Sequence, residues 1–173
     1  LPSGAKRSEL SVRNMMQVDP SPSPPEFFIG REVDMYYVLK AVLAKRLVSV
    51  VGETGVGRSS LVCALCHYIN ERATTMIAID HIYYVKAPQK RKSNVFRSLV
   101  QRFLKKIVEE KNCPPIDPEA DMELMFEAIC RNLKHDKALV VFDRVELVVI
   151  ADNANDFPML LSKLCRETKN IKV

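Results

Sequence analysis

Residues 47–61 read Leu-Val-Ser-Val-Val-Gly-Glu-Thr-Gly-Val-Gly-Arg-Ser-Ser-Leu, and their spacing suits the holding of phosphate. The pattern Gly52-x-x-x-x-Gly57-Arg58-Ser59 is a Walker A loop with Arg58 where Lys is expected. Its glycines let backbone N–H groups curl inward, which needs positive φ and no Cβ in the way. Those donors and the N-terminus of a helix starting near Arg58 form a cradle for anionic oxygens. The loop residues Gly52, Thr54, Gly55, Val56, Gly57, Arg58, Ser59 and Ser60 are the nucleotide-binding candidates, with Ser59 placing its hydroxyl on Mg²⁺. Arg58 keeps the positive charge, but its planar fork is bulkier than an ammonium, so the exchange alters a tight phosphate site. A Gly-rich turn that binds nothing is the bland alternative. Against it stand the strand, the spaced glycines, the hydroxyl pair and the apolar helix, all in the required order.

The second constellation is Ala138-Leu-Val-Val-Phe-Asp143-Arg144. A hydrophobic strand ending in Asp matches Walker B, whose Asp helps to hold the nucleotide's Mg²⁺. Ser59 and Asp143 are thus the metal candidates, and Asp143 is the foremost catalytic candidate. Where a second acid often follows to position water, this chain has Arg144. Glu146, two residues further on, substitutes only if the backbone bends to present it.

The elements that must position these residues follow from periodicity. Val48 to Val51 read as a buried strand ahead of the loop, and 58–72 as the loop helix. Met35, Val38, Leu39, Val42 and Leu43 recur at helical spacing between Arg31 and Arg46. Met76–Ile79 and His81–Lys86 read as β. Ser93 is placed as N-cap of a helix over 94–111, with Phe96, Leu99, Val100, Phe103, Leu104 and Ile107 inward. A helix over 119–134 carries Met122, Met125, Ile129 and Leu133 on one face, Ala138–Asp143 is a continuous apolar strand, and 157–168 is a last helix using Leu160, Leu161, Leu164 and Cys165. Alternating strands and helices imply a three-layer α/β fold on a mainly parallel sheet. The 1–26 segment, ending Pro20-Ser-Pro-Ser-Pro-Pro25, reads as a linker or tail ahead of a domain over 27–173.

At this point the chain resembles the nucleotide-binding domain of the STAND class of ATPases, the group that contains the NB-ARC (AP-ATPase) domains of plant resistance and apoptosome proteins. The matching pieces are Phe28-Ile29-Gly30-Arg31-Glu32, the loop at 52–60, and Ala138 to Asp143. The resemblance implies a P-loop NTPase sheet of the ASCE type with strand order 5-1-4-3-2. It also implies base contacts from Ile29, Gly30 and Arg31, and ADP or ATP with Mg²⁺ as ligands. The family's fourth strand would begin at about Ile171, so the sheet is expected to be incomplete at the C-terminus, and the chain, beginning at Leu1 and stopping at Val173, reads as a piece of a longer protein. The implied role is a signalling switch that assembles with protein partners or with itself. Arg58 and Arg144 depart from the pattern and point to weak or absent hydrolysis. An origin-recognition-like AAA+ ATPase acting on DNA is the alternative, although the acidic or polar residue usual after its Walker B strand is missing. A pseudo-ATPase scaffold that binds nucleotide only for structure is a third reading.

Composition sets the outer bounds. The 173 residues are 47% hydrophobic and 27% charged, an ordinary globular balance with chain enough for one domain. No apolar run is long enough for a membrane helix and no signal peptide opens the chain. Five cysteines, an odd number and mostly at apolar helical positions, suit a reducing, cytoplasmic setting. Cys63-x-x-Cys66 lacks a second ligand pair and reads as two small core hydrophobes. The net charge of +5 owes much to a basic stretch from Lys86 to Lys106 that includes Lys90-Arg91-Lys92. Without aromatic interleaving it reads as a solvated face, with nucleic-acid contact the less favoured alternative.

Overall fold

In the computed structural model, which describes residues 28–72, 78–88, 94–151 and 155–173, the apolar run Ala138–Asp143 (β2) lies inside a parallel three-stranded sheet. His81–Lys86 (β1) pairs with it over six residues, His81 opposite Ala138 and Lys86 opposite Asp143. On its other side Ile171–Lys172 (β3) pairs with Ala138 and Leu139 only, the neighbour that the resemblance implies for that segment.

Helices cover both faces. The residues of β2 alternate, so Ala138 and Val140 face one core and Leu139 the other. This is why the run carries no polar–apolar alternation. One core gathers Val95–Lys111 (α3), Met122–Leu133 (α4) and Asp156–Glu167 (α6), with Phe103, Ile129, Leu160 and Leu164 fully buried. Tyr83, Phe103, Phe142 and Phe157 form a chain of edge-to-face ring contacts through it, with centroids 6.0, 5.4 and 5.4 Å apart. The other core joins Glu32–Ala44 (α1) and Arg58–Arg72 (α2) to the sheet through Val42, Leu65, Cys66 and Ile69.

The element limits agree with the periodicity to within a few residues. Asp121 caps α4 by accepting from the Met122 N–H. Ser93 lies outside the described residues, as do 1–26, Met76, Ile77 and Lys90-Arg91-Lys92; the residue before α3 is Asn94, at φ +70° and without a side-chain cap. Ala78–Asp80 are not strand.

Three expectations are corrected. Val48 to Val51 do not form a strand: the Val48 N–H donates to the Val173 carbonyl at 2.8 Å and the Val173 N–H to Arg46 at 2.7 Å, and no further ladder bond follows. A strand needs a neighbour along its length, and β3 presents only this end to it. Leu43 is exposed rather than inward on α1. Lys106 is buried, whereas Arg97 donates to the Pro118 and Ala120 carbonyls, Arg102 to Lys86, and Lys105 and Lys111 pair with Glu109 and Asp136. Arg46 ties the pre-loop segment to the end of α6, donating to the carbonyls of Cys165 and Ile171 and to the Thr168 hydroxyl.

Candidate functional site

The loop between the pre-loop segment and α2 is built on glycine conformation. Gly55 and Gly57 have φ +88° and +84°, where an L side chain is strained. A Cβ on Gly52 would stand 3.1 Å from the Val56 side chain, so the loop closes on itself there. The Leu61 N–H donates to the Gly57 carbonyl at 2.9 Å and opens the helical ladder. The N–H groups of Arg58, Ser59 and Ser60, at the start of α2, therefore have no acceptor within the helix. The first turn of α2 carries no acidic residue, which leaves the positive end of its dipole to an anion.

Arg31 fixes the loop from outside. Its Nη1 donates to the Val56 carbonyl at 2.7 Å and to Gly57 at 3.3 Å, while its Nε pairs with Asp34 at 3.0 Å. The Ile29-Gly30-Arg31 segment is thereby held beside the loop, Gly30 at φ +80° and Ile29 79% exposed. Thr54, Val56 and Ser60 are likewise open to solvent.

Ser59 and Asp143, 84 residues apart, meet directly: the Ser59 hydroxyl donates to Asp143 Oδ1 at 2.7 Å. The second carboxylate oxygen, Oδ2, is buried and has no hydrogen-bond partner. A hydroxyl and a carboxylate are the oxygen donors that a hard cation such as Mg²⁺ takes, and these residues fit one. Among the described residues no three His, Cys, Asp or Glu side chains gather as metal ligands. Ser59 and Asp143 would therefore hold a cation only together with oxygens from a ligand or water. A cavity of about 410 Å³ lies beneath and beside this pair, with Val48, Arg58, Ser59, Tyr84, Asp143 and Glu146 among its walls.

The backbone does bend after Asp143. Arg144 has φ +61°, a left-handed conformation unusual for a residue with a long side chain. The chain turns there into Glu146–Ala151 (α5), a helix that periodicity did not reveal. The bend brings Glu146 Oε1 to 3.9 Å from Arg58 Nη2. The cation of the loop thus faces the displaced acid. No ion pair links Arg144 to Asp143 among the described residues. Sequence reasoning also missed Tyr84, a buried residue that lines the same cavity. Its only signal was an aromatic at a strand position that also suits plain packing.

Cys63 and Cys66 are buried in α2 among core side chains, and all five cysteines are free thiols. Burial, and next the neighbouring Cys63, push the Cys66 thiol up to about 12. Among the described residues no helix is long and apolar enough to cross a membrane.

The family model described as Novel STAND NTPase 1 matches residues 21–173, which include the loop, the Ile29-Gly30-Arg31 segment and β2. No curated protein and no solved structure matches the chain significantly.

Proposed function

We propose that this chain, which belongs to the Novel STAND NTPase 1 family, binds an adenine nucleotide with Mg²⁺ and acts as a signalling switch in which exchange, not hydrolysis, sets the state. The observation that carries the reading is the 2.7 Å hydrogen bond from Ser59 to Asp143 beside a loop in which Gly55 and Gly57 hold φ above +80°. Nothing local requires these two residues to meet, and a phosphate-bound cation is the chemistry that uses both. When bound, Mg²⁺ would neutralise charge on the outer phosphates. Ser59 and Asp143 are the residues proposed to hold it. The N–H groups of Gly55, Gly57, Arg58, Ser59 and Ser60, with Gly52, Thr54 and Val56 shaping the turn, are proposed to take the phosphate oxygens. Ile29, Gly30 and Arg31, fastened to the loop through Arg31, are proposed to lie along the base.

Weak turnover is supported by what faces the phosphate position. Arg58 presents a fork already directed to Glu146, and Arg144 offers no group that activates water. An anion in the loop and the Glu146 carboxylate compete for the same guanidinium. Partners are proposed to be proteins or further copies of the chain, as in a switch that assembles. Thermal melting tests the binding: a ligand that binds only the native state raises the melting temperature by mass action. A rise with millimolar ADP or ATP plus Mg²⁺, absent with Asp143→Ala and Gly57→Asp variants, is expected. No rise in the wild-type protein with either nucleotide would end the proposal.

A further inference from the structure

Tyr84 lies two register positions back along the sheet from Asp143. It stands opposite Val141, and Lys86 stands opposite Asp143. Registered residues of neighbouring strands point to the same face, and so do residues two apart on one strand. Tyr84, Val141 and Asp143 therefore share the α2 face, and the diagonal from Tyr84 to Asp143 is within the span of an aromatic side chain. Tyr84 is 2% exposed, and its hydroxyl has no hydrogen-bond partner. Asp143 Oδ2 is buried and unpartnered as well. Both groups line the one cavity. Burial, and then the Asp143 charge, raise the Tyr84 phenol, so the carboxylate is close enough to be felt. A buried orphan donor and a buried orphan acceptor each carry a desolvation cost that the other can remove.

Building on the metal-holding role proposed for Ser59 and Asp143, we propose that Tyr84 is a positioning residue for Asp143. Its hydroxyl donates to Oδ2 and turns Oδ1 toward Ser59 and the cation. The ring is held by the sheet and by the core beneath α2, so the donor is fixed before any ligand arrives. A carboxylate gripped at one oxygen presents the other in one orientation, which lowers the ordering cost of gathering a cation between protein and phosphate. Phe at this position keeps the packing and loses only the donor.

Calorimetric titration of ATP in the presence of Mg²⁺ and in EDTA tests this with the wild type, Tyr84→Phe, Asp143→Asn and the double variant. The wild type is expected to bind more tightly with Mg²⁺. Tyr84→Phe is expected to reduce that gain about tenfold, the weight of one hydrogen bond to a charged group, with EDTA affinity unchanged. In the Asp143→Asn background Tyr84→Phe should add nothing, since the two act through one carboxylate. An unchanged Mg²⁺ gain in Tyr84→Phe would overturn the proposal, and so would an equal loss of affinity in EDTA, which marks a packing role alone. Wild-type binding that is the same with and without Mg²⁺ would leave the nucleotide reading standing and remove the role of Tyr84. No binding in either buffer would remove both.

Discussion

Gly55 and Gly57 share a conformation but not an environment, and that difference predicts unequal costs for the same substitution. With φ at +88° and +84°, an Ala at either site meets backbone strain of about 1–2 kcal/mol. Each also gains a little from a stiffer unfolded chain, equally at both sites, so this cancels in the comparison. At Gly55 a new Cβ has nothing within 4 Å, and strain is the whole effect. At Gly57 it would stand 3.1 Å from Arg31 Nη1, the atom that bonds the Val56 and Gly57 carbonyls. The guanidinium must withdraw. Its side chain is 30% exposed, so the lost bonds are worth about 1 kcal/mol rather than the larger figure for a buried charged pair. Urea unfolding of the nucleotide-free protein should then place Gly55→Ala about 1–2 kcal/mol below wild type and Gly57→Ala about 2–3, with m unchanged. In an Arg31→Ala background the excess of Gly57→Ala over Gly55→Ala should vanish, because the contact it breaks is already gone. Equal costs at the two glycines, or an excess that survives Arg31→Ala, would refute the role given to Arg31 as the outer tie of the loop.

Two further outcomes are expected. Single-turnover ATP hydrolysis should be barely detectable in the wild type and appear in an Arg58→Lys, Arg144→Asp double variant; robust wild-type turnover abolished by Asp143→Ala would contradict this. The buried thiols of Cys66 and Cys130, both pushed up to about 12 from an ordinary 9.0 chiefly by burial, keep their protons in the folded state while the unfolded chain releases them. The stability they contribute is therefore present below about pH 9 and lost as pH rises toward 12, so unfolding midpoints should fall between about pH 8 and pH 10.5, and less steeply in Cys66→Ala.

What was legible in the chain was what local chemistry dictates. Glycine spacing marked the loop because only glycine tolerates φ near +85° there, and the run from Ala138 to Asp143 marked a strand covered on both faces. The helix at α3 followed from spacing because it has a continuous inward stripe. The features that periodicity missed are set by tertiary contact. Arg144 adopts a left-handed conformation with no glycine or asparagine to announce it, and α5 is too short to show a period. Val48 to Val51 have the composition of a strand, yet strand character belongs to a pair of segments and not to one. Lys106 falls between apolar positions, as a solvated residue would, and is buried all the same. No linear pattern distinguishes Tyr84 from Tyr83, although neighbours on a strand face opposite cores: one reaches the Asp143 cavity and the other the ring contacts of α3.

The two departures from the usual loop pattern have a common physical sense. A lysine ammonium in place of Arg58 would reach a phosphate as a single compact charge, whereas a guanidinium spreads its charge over a fork and accepts a carboxylate as readily as a phosphate. Here a carboxylate is provided, because the bend at Arg144 carries Glu146 to within 3.9 Å. The pair is half exposed and therefore weak, about 1 kcal/mol or less, so under the proposed reading a phosphate aided by a metal would displace Glu146 without a large penalty. The displaced group is the first residue of α5, whose Val148 is buried in the core around α3. Under the proposed reading, occupancy of the loop is thus registered at α5 through loss of one ion pair, with no bond to nucleotide broken. A site arranged this way would respond to whether a phosphate is present.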